Sequence, residues 1–305
     1  MDAVKRIALL FLLWLAGATT ALAARIDIVV PPDSAAHADL ARAARYALLQ
    51  HDASLQIEIV GADSDHSGRA ELAIAIGDLL LPWSSSPANR YPATLCFYVS
   101  SSRFRATPAA QPQLSALFRD QPLQRQLQLA ELLLPNRARF ALLYGSNGPP
   151  PGLDRVATAE MLTAIDVAGA SDWPRTLSEL MLNHDALIAI DDDQLYNRDT
   201  IRSVLLTTYR HGRVVIGPSR PFVNAGSLAS AYTASDQYLS QLTDMVLQFL
   251  TSGRLPPAQY PRQFRVAVNR QVADSLNLKI ADEDTLTERL QRSDRQRGQE
   301  CSDGC

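Results

Sequence analysis

Three consecutive carboxylates, Asp191, Asp192 and Asp193, stand just before Tyr196 and Asn197 and invite a metal reading. A hard cation needs six or more oxygens, and neighbouring side chains in an extended segment point different ways. The competing reading is that one aspartate caps the turn that follows while the others are solvated. A second group is Ser219 and Arg220, set between Pro218 and Pro221, with Phe222 directly after. Arg220 offers a planar fork that can clamp a carboxylate or form a hinge salt bridge, and the sequence leaves both open. Tyr144, Ser146 and Asn147 close one apolar run, and Ser101 and Ser102 follow another, ahead of Arg103. Short hydroxyls and amides, aromatic rings and an arginine are the chemistry that orients a small polar ligand. The candidate ligand-binding residues are therefore Ser101, Ser102, Tyr144, Ser146, Asn147, Asp191, Asp193, Tyr196, Ser219, Arg220 and Phe222. Tyr144 and Phe222 read equally as aromatic closures of a sheet end.

Catalytic patterns are missing. The chain has no G-x-S-x-G elbow, no H-E-x-x-H, no G-x-x-x-x-G-K-[ST], and no G-x-G-x-x-G after its first strand. His37, His51, His66, His184 and His211 are scattered, with no Cys or Glu at ligand spacing. The reading is a binding protein without catalytic residues, metal or cofactor.

The elements that position these residues alternate in type. Residues 25–31, 55–60, 72–76 and 94–99 are short apolar or β-branched runs, which predict strands. Residues 34–50 carry Ala38, Ala41, Ala44, Leu48 and Leu49 at helical spacing, with Ser34 as N-cap. Strand and helix in alternation predict a parallel sheet covered by helices. Between residues 60 and 72 there is little room for a crossover helix, so the first lobe is abbreviated or those strands are joined irregularly. Further on, Asp120 caps a helix over 122–134, with strands expected at 139–144, 164–168 and 186–190 and helices over 152–162 and around 177–182.

From about residue 122 to 278 the order of these segments resembles the ABC transporter substrate-binding protein family of the type I periplasmic-binding-protein fold. The matching stretches are LAELLLPNRARFALLYG and residues 185–190, 214–217, 223–230, 250–257 and 268–278. The resemblance implies a two-lobed α/β fold, each lobe a largely parallel sheet flanked by helices, closing on a small molecule across a hinge. It implies a first lobe of residues 24–119 plus 237–256 and a second of 120–236 plus 257–290. It also implies delivery of a small-molecule solute to an inner-membrane ABC permease by a monomeric protein. The alternative is a ligand-sensing or interaction module of the same fold that contacts a membrane receptor. A third reading is a degenerate fold with a filled cleft. Where the family has an acidic turn, this chain has Ser100 to Arg103.

Lys5 and Arg6, the apolar run 7–15 and Ala21-Leu22-Ala23 form a signal peptide over residues 1–23, so the mature chain is expected in the periplasm from Ala24. The full chain carries net −3, and losing Asp2, Lys5 and Arg6 leaves −4 for the exported part, which gives no electrostatic basis for nucleic-acid binding. Cys96 sits in an apolar strand and reads as a buried, inert thiol. Cys301 and Cys305 flank Ser-Asp-Gly, close enough in an oxidising compartment for a local disulfide. The charged stretch 291–305 is expected to be a disordered tail.

Overall fold

A computed structural model describes residues 24–303, apart from 33, 64–69, 109–110, 112, 136–138 and 157–160. Residues 1–23, where a signal peptide is expected, and Cys305 lie outside the described residues, as does the side chain of Cys301.

Five apolar strands build the first sheet: β1 (Arg25–Val30), β2 (Gln56–Gly61), β3 (Leu72–Ile76), β4 (Thr94–Val99) and β5 (Leu114–Phe118). Their order is β2-β1-β3-β4-β5 and every pairing is parallel. All five residues of β3 are buried, as a central strand covered on both faces requires. Helix α1 (Ala35–His51) buries Ala41, Ala44 and Leu48 at helical spacing. Ser34 stands at its N-cap position, but its hydroxyl meets His37 Nδ1 at 2.5 Å and caps no backbone N–H. The short helices α2 (Leu81–Ser84) and α3 (Ser101–Ala106) follow β3 and β4. Among the described residues of the β2–β3 connection there is no helix. The sheet is thus complete in strands while one crossover is shortened.

The second sheet contains β6 (Phe140–Tyr144), β7 (Leu162–Asp166), β8 (Ala186–Ile188), β9 (Val214–Ile216), β10 (Ala229–Tyr232) and β11 (Arg265–Val268). Its order is β11-β10-β9-β8-β6-β7, parallel except for the β10–β11 pair. Helix α4 (Leu123–Leu133) covers one face, with Leu123, Leu127, Ala130 and Leu133 in the core beside Phe140 and Leu142. After the single-turn α5 (Leu153–Val156), helices α6 (Trp173–Asn183), α7 (Ile201–Arg210) and α8 (Arg220–Ala225) cover the other, where Leu177, Met181 and Val204 are buried. The N-cap position of α4 is Pro122, because the Asp120 carboxylate is engaged elsewhere.

The chain crosses between lobes three times. It leaves the first after β5, returns after β10 to form α9 (Ser235–Ser252), and leaves again before β11. Helix α9 buries Tyr238, Leu242, Met245, Val246 and Phe249 in the same core as Ile26, Ile74 and Leu95, so a late segment completes the first lobe. After α10 (Arg270–Ser275), the C-terminal helix α11 runs over Glu283–Asp303.

That helix corrects the expectation of a disordered tail from residue 291. Leu286 and Leu290, one turn apart, are fully buried in the second-lobe core. Asp282 accepts a hydrogen bond from the Thr285 backbone N–H at 2.8 Å and caps the helix start. Further along, Asp294 pairs at 2.6 Å with the buried Arg125, which also donates to Gln121 Oε1 and Pro261 O and lies 4.0 Å over the Phe264 ring. Two apolar anchors and one ion pair outweigh the charged composition.

Candidate functional site

In open parallel sheets, ligand-contacting loops gather outside the carboxyl ends of the strands. Here both lobes turn those ends toward one cleft, and Arg119, the residue after β5, lies between them. Its Nη1 donates to Asp78 Oδ2 at 2.8 Å within the first lobe, and its Nε donates to Asp191 Oδ2 at 2.8 Å across the cleft. A second bridge runs from Arg103 Nη2 to Asp193 Oδ1 at 2.6 Å, while Arg103 Nε lies 3.7 Å from Asp78. Asp78 is fixed further by the Ser100 backbone N–H at 2.7 Å. Two arginines of the first lobe therefore hold two aspartates of the second.

This polar centre is poorly solvated. Burial pushes the Asp191 carboxyl up, and the Arg119 guanidinium only partly offsets it. Burial works against the Arg119 charge too, but Asp191 and Asp78 outweigh it and hold the group above its ordinary value. Asp120 accepts from the Ser101 backbone N–H at 2.8 Å and from the Ser101 hydroxyl. Burial, followed by the nearby Asp191 charge, still raises it to about 7. His37 abuts Gly77 at the first-lobe floor, and burial lowers its imidazole, with Asp78 opposing. Beneath the ion pairs, between Asp120, Gln126, Ile190 and Tyr260, the remaining void is about 30 Å³, space on the scale of a water molecule.

Larger chambers flank the pairs. The hinge chamber, about 290 Å³, is lined by Tyr98, Arg119, Ser219, Arg220, Tyr232 and Tyr238, and by the crossing residues Gln121 and Thr233. Tyr98 has φ +61°, a left-handed conformation that a bulky residue rarely adopts, at a bulge where the β4–β5 register shifts between Phe97 and Val99. The bulge leaves Tyr98 38% exposed and edge-on to Tyr238, 5.3 Å between ring centroids. Arg220 donates to Tyr232 OH at 3.2 Å and stacks 5.4 Å over that ring, with no ion pair among the described residues. The outer chamber, about 580 Å³, lies on the side lined by none of the crossing residues.

The candidates from sequence are distributed unevenly across this cleft. Asp191 and Asp193 face it, paired with arginines, and the middle aspartate is the structural one. Asp192 is buried and accepts from the Gly145 and Gln194 backbone N–H groups at 2.9 and 3.0 Å. Ser219 and Arg220 line the hinge chamber, and Ser146 and Asn147 line the outer chamber. Ser102 borders the central void, while Ser101 is buried and holds Asp120. Tyr144 is partly buried against the second-lobe core. Tyr196 and Phe222 are corrected: both are buried in the core, edge-on to each other at 6.0 Å, with Tyr196 OH donating to Leu143 O. Helical turns after β8 and β9 rotate them under the sheet end, away from the cleft. Cys96 is fully buried as expected, and burial pushes its thiol up to about 12.

Arg119, Asp78, Tyr98 and Tyr238 belong to the site and were not singled out from sequence, and Asp120 was read there only as a helix cap. The available signal was an Arg-Asp pair directly after the apolar run LSALF, which required β5 to be read as a strand.

No family model and no curated protein sequence matches the chain. Solved structures do resemble it. One is an ABC domain in complex with L-Trp from Streptococcus pneumonia, 15% identical with TM-score 0.58, the likeness covering 85% of this chain and 96% of that one. A second is the ligand-free, open structure of a substrate-binding protein with adhesive properties from Clostridium difficile, also 15% identical over 85% and 96% of the chains, with TM-score 0.64. A third is a periplasmic ribose ABC transporter structure from Conexibacter woesei, 10% identical, TM-score 0.52, covering 89% of this chain and all of that one. At such identities the likeness shows the fold, and the fold is the two-lobed type I periplasmic-binding-protein architecture.

Proposed function

We propose that this chain is an exported solute-binding protein that captures a small polar ligand in the hinge chamber between its lobes and hands it to an ABC-type importer. The observation that carries this reading is Arg220. Arg103 and Arg119 are each matched to carboxylates in the cleft, whereas Arg220 stands at the chamber wall beside Tyr232, Ser219 and Thr233 with no ion pair among the described residues. A guanidinium at a half-desolvated aromatic wall is suited to a carboxylate or similar planar anion. Tyr98 and Tyr238 supply flat apolar surface for the body of such a ligand. Contact with both lobes would favour the closed form by the differential affinity of ligand for closed over open.

The compartment, the permease partner and the monomeric state follow from the same reading. It takes the lobes to be residues 24–119 with 237–256 and 120–236 with 257–290, and residues 1–23 to be a removed signal segment. The similar structures titled as substrate-binding and ABC transporter proteins support it. No catalytic role is proposed for any cleft residue. A second reading, a sensing or interaction module that contacts a membrane receptor, draws on the centre of the cleft, which the chain fills with its own ion pairs.

Titration calorimetry of residues 24–305 against amino acids, short peptides, sugars and small organic acids tests the proposal. A carboxylate-bearing ligand is expected to bind and to lose about tenfold or more in affinity in Arg220→Ala, with the melting temperature of the free protein unchanged. Binding that survives the substitution, or none from any class, would sink this reading of the chamber.

A further inference from the structure

The centre of the cleft gathers more negative charge than it matches. Asp78, Asp120, Asp191 and Asp193 stand there against two guanidiniums, Arg103 and Arg119, a formal excess of two negative charges. Asp78, Asp191 and Asp193 each pair with an arginine, whereas Asp120 has no ion pair among the described residues and is held by Ser101. Asp120 and Asp191 border one void of about 30 Å³, walled from the first lobe by Ser102 and from the second by Ile190 and Pro218. Two carboxylates on a poorly solvated space of that size repel each other strongly. The other titratable groups around them do not supply the missing positive charge. Tyr260 OH meets Ser101 Oγ at 3.0 Å and also bonds Arg105, Tyr238 OH donates to the Arg119 carbonyl, and Tyr98 stands beside Arg119 and Asp191. Burial raises all three phenols, Tyr260 to about 12, so they stay neutral. Arg125 on α4 is engaged by Asp294, and Arg220 lies over the Tyr232 ring. His37 of α1 is near Asp78 and Arg119, but its partner Ser34 and its neighbour Gly77 belong to the first lobe as well, so its surroundings do not cross the cleft.

We propose that closure of this cleft is proton-linked: a proton taken up between Asp120 and Asp191 favours the closed form, and its loss favours the open one. Asp120 is the seat of that proton, because Asp191 has the Arg119 guanidinium and Asp120 has no cation of its own. When the hinge opens, Asp120 stays with Ser101 and parts from Asp191, and water reaches both. The Asp120 carboxyl, raised to about 7 in the closed form, then falls toward its ordinary value of about 4. The added stability of the closed form is therefore fully present below the open-form value and is lost as pH rises through about 7. Between about pH 5 and 8 the closed-to-open ratio falls about tenfold or more. The linkage belongs to the cleft itself and holds whatever the hinge chamber binds.

Pulsed electron-paramagnetic-resonance distances on residues 24–305 test the linkage, with labels on cysteines introduced at the exposed Leu79 and Arg198 and with Cys301 and Cys305 changed to Ser. The short-distance population is expected to fall about tenfold or more relative to the long one between about pH 5 and 8. Asp120→Asn keeps an acceptor for the Ser101 N–H and carries no charge, so it should hold the acid-like ratio at every pH. Asp191→Asn removes the opposing charge and should shrink the decline, whatever it does to the ratio itself. His37→Gln should leave the decline intact. A ratio that does not change with pH in the otherwise unmodified cleft overturns the proposal. So does a decline that persists undiminished in Asp120→Asn or Asp191→Asn, or one that is lost in His37→Gln.

Discussion

Replacing Asp191 by Asn keeps the size of the side chain and removes the charge that Arg119 reaches across the cleft. Arg119 retains Asp78, so the first lobe keeps its own bridge while the lobe-to-lobe bond is reduced to a neutral one. The pair is about three-quarters buried, with side-chain exposures of 23% and 25%. That places it between an exposed bridge, at under about 1 kcal/mol, and a fully buried one, whose breakage costs about 3–5 kcal/mol. A loss of about 2 kcal/mol shifts the closed-to-open ratio roughly thirtyfold. Asp193 is 55% exposed, so Asp193→Asn is expected to cost under about 1 kcal/mol and to shift the ratio only a few-fold. Pulsed electron-paramagnetic-resonance distances report the ratio directly. Spin labels go on cysteines introduced at Leu79 and Arg198, both exposed near the cleft mouth, with Cys301 and Cys305 changed to Ser. Cys96 needs no change, because it is buried and its thiol is pushed up to about 12. Asp191→Asn should move the distribution to longer, broader distances and Asp193→Asn should barely alter it. Equal distributions for unmodified protein and Asp191→Asn, or a larger effect from Asp193→Asn, would refute the reasoning that the Arg119 bridge holds the lobes together.

Asp120, raised to about 7 in the folded chain against an ordinary value of about 4, keeps its proton more tightly folded than unfolded. It therefore contributes stability that is fully present below about pH 4 and is lost as pH rises toward about 7. Denaturant midpoints measured from pH 4 to 8 should show this decline, and Asp120→Asn should flatten it; an unchanged slope would count against a protonated Asp120. Gly77 has φ +83°, and a Cβ there would stand 2.3 Å from His37 Nε2. Gly77→Ala is expected to cost about 1–3 kcal/mol in a thermal melt, with His37→Ala recovering the clash but not the strain. Full recovery would show the backbone to be unstrained. Arg125→Met releases Asp294, which is partly exposed, whereas Asp294→Asn leaves a buried guanidinium without its anion. The second change should therefore be the more damaging, by about 3–5 kcal/mol against about 2, and the reverse order would contradict the account of how α11 is fixed.

The strands were legible where β-branched residues run together, as in RIDIVV and LAIAI, because a central parallel strand is apolar on both faces. LSALF was not, since five mixed residues between Gln- and Pro-rich segments carry no periodicity. Missing β5 meant missing Arg119, the residue it delivers to the cleft. Among three adjacent aspartates, sequence could state that one would cap a turn but not which, because that depends on how the chain turns after β8 to place Asp192 under Gly145 N–H. Tyr196 and Phe222 were misplaced for the same reason: a quarter-turn of helix separates a cleft residue from a core residue. The composition of residues 291–305 argued for disorder, but the anchors of that helix lie upstream at Leu286 and Leu290, with Arg125 supplied by another part of the chain. Long-range partners of this kind leave no local trace in the sequence.

The most direct test of solute binding is native mass spectrometry of residues 24–305 purified gently from the producing cells, with the denatured chain as the mass reference. A reproducible excess mass from a small molecule, lost in Arg220→Ala and retained in Asn147→Ala, is the expected result. A bare chain, unshifted in melting temperature across amino acids, peptides, sugars and organic anions, would contradict the account.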